Sequence, residues 1–323
     1  MSAVASRVVA LSGGIGGAKL VLGLSRVMPP GDLVAIVNTA DDFEHLGLAI
    51  SPDLDTVMYT LAGLDDPQRG WGRREETWTF MSALAALGGE SWFKLGDGDL
   101  ATHIERTRRL RLGESLSTIT ADLCRALGIA VRVVPMSDDK VRTVIETDRG
   151  TLDFQDYFVR QRCAPMVREV IYAGAAMARA QSEALAALRD PALRAVVICP
   201  SNPLLSIEPM LAIRSLRDAV AGCAAPVIAV SPIIGGGAVK GPTAKMMAEL
   251  GLPVTVTTVA RRYGDLLDGY VLDHADAEEA RTLDLPLRAA RTLMVSLEDR
   301  EALAREVLAH ADALADGDER KPA

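Results

Sequence analysis

The chain is poor in cysteine and has no surplus of positive charge, and each scarcity narrows what it can be. Its four cysteines, Cys124, Cys163, Cys199 and Cys223, show no C-x-x-C spacing, so they read as reduced, mostly buried small hydrophobes of a cytoplasmic protein. The net charge of -8 argues against a nucleic-acid partner, because a broad nucleic-acid surface carries a basic face. A phosphate-bearing ligand would need local compensation from backbone N–H groups, Lys, Arg or a metal. No apolar run approaches a membrane span, and the first residues lack the charged region, apolar stretch and small-residue cleavage site of a secretory leader. The expectation is a soluble, unexported, cytoplasmic protein with no membrane partner. What is present is ordinary globular composition, 49% hydrophobic and 24% charged over 323 residues, with ample length for a core.

Apolar strand-like runs at 8–11, 33–37, 129–134, 195–199 and 226–230 alternate with helix-patterned segments. This predicts a single α/β domain over 1–323 with a Rossmann-like, doubly wound, mostly parallel sheet. No internal repeat is evident. Between about 131 and 172 the pattern changes: residues 141–147 alternate, Asp148-Arg149-Gly150 is turn-like and 151–154 returns, a hairpin signal that predicts a small antiparallel insertion. A helix after about 298 runs into a polar end, and residues from about 314 to 323 are expected to be a disordered tail.

The chemistry-bearing residues cluster at expected strand ends, where open α/β sheets bind ligands. After the first strand, Ser-Gly-Gly-Ile-Gly-Gly at 12–17 reads as a loop leading into a helix from Ala18. Glycines there permit positive φ and let N–H groups approach an anion at the helix start, or else form a tight turn with no ligand. The run fails the dinucleotide fingerprint, since Lys19 stands where its third small residue belongs, and it fails the Walker A spacing. Lys19 adds a cation if phosphate is bound and is otherwise a solvated helix residue. The 38–56 stretch follows the second strand and holds five acidic residues, among them Asp41, Asp42, Asp53 and Asp55. These either cap and solvate a loop or hold a divalent cation against a phosphate.

Further on, residues 92–95 read as strand-like, turn at Gly96-Asp97-Gly98-Asp99 and enter a helix. Asp99 is a candidate cap, leaving Asp97 and Lys94 to face a ligand. Lys94 is otherwise a snorkelling side chain. His103 lies on the helix face of Asp99 and, with no partner of ligand spacing, reads as a packed or hydrogen-bonded helix residue in preference to a metal ligand. Pro200-Ser201-Asn202-Pro203 and the glycine-rich run beginning at Ser231 follow later strands and offer hydroxyl, amide and backbone groups to the same edge.

Taken in order, these segments resemble the 2-phospho-L-lactate transferases of coenzyme F420 biosynthesis. The matching pieces are Ser-Gly-Gly-Ile-Gly-Gly-Ala-Lys at 12–19, Asn-Thr-Ala-Asp-Asp at 38–42, Ser-Pro-Asp-Leu-Asp-Thr at 51–56, the Trp-Gly stretch at 71–78, Lys-Leu-Gly-Asp at 94–97, Asp-Leu-Ala-Thr-His at 99–103, Pro-Met-Ser-Asp at 135–138, Phe-Gln at 154–155, Pro-Ser-Asn-Pro at 200–203 and Ser-Pro-Ile-Ile-Gly at 231–235. The resemblance implies Mg²⁺-dependent transfer of a phosphorylated small acid, phospholactyl, phosphoenolpyruvyl or phosphoglyceryl, from a GDP-activated donor to the ribityl hydroxyl of the deazaflavin precursor Fo, with GMP released. It further implies a homodimer. By matching position, Asp55 and Asp42 are the expected catalytic and Mg²⁺-binding residues, and Asp55, Lys94 and Asp97 the expected Fo contacts. Gly13, Gly14, Gly16, Gly17 and Lys19 are expected to hold the diphosphate, with Ser201, Asn202 and Ser231 toward the nucleotide. Alternatives are a non-catalytic, nucleotide-sugar-binding metabolic regulator of the same superfamily, a nicotinamide dehydrogenase, disfavoured by Asn38 where an acidic ribose ligand belongs, and a scaffold protein, in which so many polar strand-end loops would have no role.

Overall fold

The computed structural model describes residues 6–239 and 241–317. In β1 (Arg7–Ser12), Val9 and Leu11 enter one hydrophobic layer while Val8 and Ala10 enter the other. This is the two-residue alternation of a pleated strand covered on both faces, and it is why the run is apolar throughout. The chain continues through α1 (Gly14–Val27), β2 (Leu33–Val37), a β3–β4 hairpin (Phe43–His45, Leu48–Ile50), α2 (Pro52–Leu61), α3 (Thr79–Ala86), α4 (Asp97–Arg111), α5 (Leu116–Ala126) and β5 (Arg132–Pro135). After β6 (Arg142–Thr147), β7 (Gly150–Asp153) and β8 (Val167–Ala173) come α6 (Ser182–Leu188), β9 (Leu193–Ile198), α7 (Glu208–Leu211), α8 (Arg214–Ala221), β10 (Val227–Val230) and the short pair β11–β12 (Ile233–Ile234, Gly237–Ala238). The end of the chain supplies α9 (Thr243–Glu249), α10 (Val256–Tyr263), β13 (Gly269–Asp273), α11 (Ala277–Ala280), β14 (Leu287–Ala290) and α12 (Leu297–Asp316).

Seven strands form the central sheet in the order β14-β13-β10-β9-β1-β2-β5, every pair parallel. The doubly wound sheet is therefore as expected, with β13 and β14 added to the five apolar runs. Helices α1, α2, α5 and α12 bury leucine and valine against one face, and α6, α8, α9 and α10 cover the other. Strand order reverses at β1, which has β2 on one side and β9 on the other, so a crevice opens at the carboxyl ends of β1 and β9.

Strands β7-β6-β8 form a separate antiparallel sheet, with Gly150 at φ 104° completing its hairpin turn. This sheet starts at Arg142; the 132–135 segment placed in the insertion is the edge strand of the main sheet, paired to β2. At the other end, α12 runs through Asp316 and closes on Gly317 at φ 81°, so residues 314–316 of the expected tail are helical, and 318–323 lie outside the described residues. Among the described residues no helix is long and apolar enough to cross a membrane.

Candidate functional site

A cavity of about 830 Å³ occupies the crevice, a size suited to a nucleotide-bearing ligand. Its floor is the β1–α1 turn. The helix starts at Gly14, not at Ala18, because Gly13 is its extended N-cap and Gly14, at φ 60°, turns the chain directly into it. Gly16 and Gly17 are thus helical, and they are glycine for packing: a Cβ on Gly16 would lie 2.3 Å from the Pro200 carbonyl oxygen, and one on Gly17 2.4 Å from Ser201 Oγ. Gly13 N–H donates to Ser201 Oγ at 3.1 Å, which ties the turn after β1 to the turn after β9. The first-turn amides have no carbonyl within the helix, that of Gly14 being taken by Asp53, and Gly14, Ile15, Gly16 and Lys19 line this cavity, a helix start suited to an anion. Lys19 Nζ also donates to the Met294 carbonyl at 2.7 Å.

The acidic residues divide between two places. Asn38, at the end of β2, donates from Nδ2 to Asp41 Oδ1 at 3.2 Å and to Asp53 Oδ2 at 2.9 Å, bringing those two carboxylates together on the cavity wall. Asp53 Oδ1 accepts the Gly14 amide at 2.6 Å. Burial pushes the Asp53 carboxyl up to about 6 against the hydrogen bonds from Asn38, Gly14 and Ser206. Asp41 is held well above the usual carboxylate range by burial first and then by the charges of Asp53 and Asp42. Asp42 lies beside them outside the cavity lining. Its Oδ2 accepts Ser51 Oγ at 2.8 Å, its Oδ1 is buried with no hydrogen-bond partner, and burial raises it to about 7.

Asp55 is in a different environment altogether. Arg106, on α4 with its side chain 1% exposed, clamps both Asp55 oxygens, Nη1 reaching Oδ2 at 3.1 Å and Nη2 reaching Oδ1. His103 adds Nδ1 at 3.6 Å from Asp55 and Nε2 at 3.2 Å from Asp99, and Tyr59 donates to Asp99 at 2.6 Å. Asp55, Asp99 and His103 come within reach of one cation, and Arg106 already pairs with Asp55 there. The geometry therefore gives Asp55 an ion-pair partner outside the cavity lining, and puts Asp41 and Asp53 on that lining where Asp42 and Asp55 were expected.

Asp97 is corrected in the same way. It accepts from Thr77 Oγ1 at 2.6 Å and from the amides of Thr79 and Phe80 at 3.0 Å each, so it holds the start of α3 instead of facing a ligand. Asp99 does not cap its helix either; Glu76, from the Trp-Gly stretch, takes the Gly98 and Asp99 amides at 2.7 and 2.8 Å. Lys94 is exposed and lines the cavity, on an irregular segment where a strand was expected. Ser201, Asn202 and Ser231 also line it. Asn202 Oδ1 is taken by the amides of Leu204 and Leu205, and Ser231 Oγ by Ile233 N–H and carbonyl.

The sequence did not reveal the aromatic surfaces. In a chain only 4% aromatic, Trp71, Trp92, Phe93, Phe154 and Phe158 all line this one cavity. Trp92 and Phe93 pack edge to face at 5.7 Å, and Phe154 and Phe158 stack at 5.4 Å. Their signals were the Trp-Gly stretch at 71–78, the Trp-Phe pair beside Lys94 and the Phe-Gln after β7.

A family profile described as 2-phospho-L-lactate transferase CofD matches residues 8–313. A phosphoenolpyruvate transferase of Streptomyces griseus subsp. griseus is 41% identical over 315 residues, spanning 95% of this chain and 98% of that protein. The phosphoenolpyruvate transferase of Mycobacterium leprae is 40% identical over 311 residues, spanning 87% and 93%. Among solved structures, a UPF0052 family protein of Bacillus halodurans shares the fold at a TM-score of 0.63 and 14% identity, covering 94% of this chain and 98% of its own.

Proposed function

The chain belongs to the 2-phospho-L-lactate transferase family, and on that premise we propose that it transfers a phosphoenolpyruvyl group from a GDP-linked donor to the ribityl hydroxyl of Fo, releasing GMP, in coenzyme F420 biosynthesis. The relatives' name, phosphoenolpyruvate transferase, favours that acid over the phospholactyl and phosphoglyceryl groups. In the transfer, the hydroxyl oxygen bonds to the phosphorus that carries the acid, the bond from that phosphorus to the GMP oxygen breaks, and the hydroxyl gives up its proton. Such a reaction depends mainly on positioning and on charge stabilisation.

The observation that carries the reading is the convergence of the first turn of α1 with Asp41 and Asp53 in one cavity that also has flat aromatic walls. The α1 amides and Lys19 hold the diphosphate. Asp41 and Asp53 suit Mg²⁺, since burial opposes the ionisation of both and the Asp53 charge adds to this at Asp41, and a divalent cation between them relieves both. Bound there, the ion would neutralise charge on the diphosphate. Trp92 and Phe93 offer a face for the deazaflavin ring, with Lys94 at its edge.

Incubation with Fo, Mg²⁺ and each of the three GDP-linked donors, read by product mass, tests this. The phosphoenolpyruvyl adduct and GMP are expected. A different adduct would change the donor, and GDP binding with no adduct from any donor would favour the regulator reading instead.

A further inference from the structure

Among the described residues, the cavity holds one cation that neither the fold nor the proposed chemistry has used. Arg162 lines it beside Phe158 and Val159, and makes no hydrogen bond or ion pair with any described residue. The neighbouring cations differ: Lys19 is bonded to the Met294 carbonyl and Arg69 to Asp66 at 2.8 Å. Arg162 is also held in an unusual backbone. It and Cys163 are consecutive non-glycine residues at φ 51° and 56°, one residue past a π-helical turn at Asp156–Arg160. Side chains disfavour that region, and such conformations and π-turns gather at ligand clamps. The surroundings fix the turn firmly: Cys163 N–H donates to the Tyr157 carbonyl at 2.9 Å, and fully buried Tyr157 anchors it below. Gln155, at the start of the same segment, reaches the Asp41 carbonyl at 3.4 Å, so this wall borders the acidic pair.

We propose that Arg162 is the residue that binds the carboxylate of the transferred acid. This rests on the transferase reading above. With the diphosphate assigned to α1, Lys19 and the acidic pair, the donor keeps one uncompensated anion, a carboxylate common to all three candidate acids. A planar guanidinium pairs with a carboxylate through two parallel hydrogen bonds, which a lysine cannot reproduce. The turn fixes the Arg162 backbone at the cavity wall before the donor arrives, so less is lost on binding.

The test compares the GDP-linked phosphoenolpyruvyl donor with the GDP-linked vinyl-phosphate analogue, in which hydrogen replaces the carboxylate. Wild-type protein should bind the analogue roughly tenfold more weakly or worse, as expected for loss of one charge-assisted contact. Arg162→Gln should bind the two nearly alike, with GDP affinity and the KM for Fo unchanged. Arg162→Lys should restore only part of the preference. Arg162→Gly should lose the preference while melting no lower than wild type, because glycine accepts the positive φ. A preference that survives in Arg162→Gln, an equal loss of GDP affinity in that variant, or a lower melting temperature in Arg162→Gly would each overturn the proposal. Calorimetric binding reports the carboxylate preference whether or not Fo is converted, so failure of the transferase reading shows separately, as absence of product.

Discussion

The first turn of α2 carries two carboxylates that are equally buried, Asp53 at 7% and Asp55 at 5% exposure. Asp53 accepts the amide that opens α1 and faces the cavity, whereas Asp55 is clamped by Arg106 beneath the β3–β4 hairpin. Two residues along a helix turn a side chain by about 200°, so neighbours at that spacing point in opposite directions. Asp41 and Asp42 split likewise, one to the cavity and one to Ser51. Burial does not distinguish the site from its scaffold here; direction and partner do. Asp53 has neutral donors around it on the cavity wall, while Asp55 has its cation built in.

The largest effect should come from breaking the scaffold half. Asp55→Asn leaves Arg106 buried with its charge uncompensated, a loss on the order of 3–5 kcal/mol. Replacing both, as Asp55→Leu with Arg106→Met, should recover much of that stability, because paired removal leaves no orphan charge. Denaturant unfolding measures both, and a stably folded but inactive Asp55→Asn protein would return Asp55 to the site. Asp53→Asn should do the reverse. It removes a charge placed for chemistry, so turnover should fall about 10²-fold or more, while melting stays at or above the wild-type temperature.

A smaller effect separates the same groups by pH. Asp53 at about 6 and Asp42 at about 7 hold their protons more tightly in the folded chain than in the unfolded one, where a carboxyl titrates near about 4. The folded state then binds more protons between about pH 4 and 7, so stability should fall as pH rises through that window. Mg²⁺ should remove the part due to the cavity carboxylates, and Asp42→Asn the part due to Asp42. Melting curves that are flat with pH in the metal-free protein would contradict both assignments.

Much of this was legible from residue order. Continuous apolar runs marked the inner strands because helices cover both faces, and the polar strand-end segments marked the crevice. Alternation at 141–147 marked the antiparallel sheet. Facing was not legible: the Ser-Pro-Asp-Leu-Asp-Thr segment does not say which aspartate looks inward until Arg106, some fifty residues later, is placed against one of them. The glycine run misled for a related reason. Glycine disfavours helix, so 14–17 reads as loop, yet the close approach of Pro200 and Ser201 requires glycine inside the helix. The aromatic walls come from three separate segments, and only the fold brings them together.

The smallest expected difference lies between Asp97 and Lys94, three residues apart and assigned to the same ligand by sequence. Asp97 receives a hydroxyl and two amides at the start of α3, and those bonds, led by the one from Thr77, hold its carboxyl below the usual range. It acts on the helix, where a carboxylate completes unsatisfied amides and opposes the positive end of the dipole. Asp97→Ala should therefore lower the melting temperature by a few degrees at most and leave the KM for Fo alone. Lys94 contributes no comparable anchoring, and its exposed side chain beside Trp92 and Phe93 acts on the cavity. Lys94→Ala should raise the KM for Fo several-fold, more than the KM for the donor, with melting unchanged. If the Asp97 variant shifted the Fo constant and the Lys94 variant did not, α3 and the segment before α4 would have to exchange roles, and the acceptor would lie against the Trp-Gly stretch.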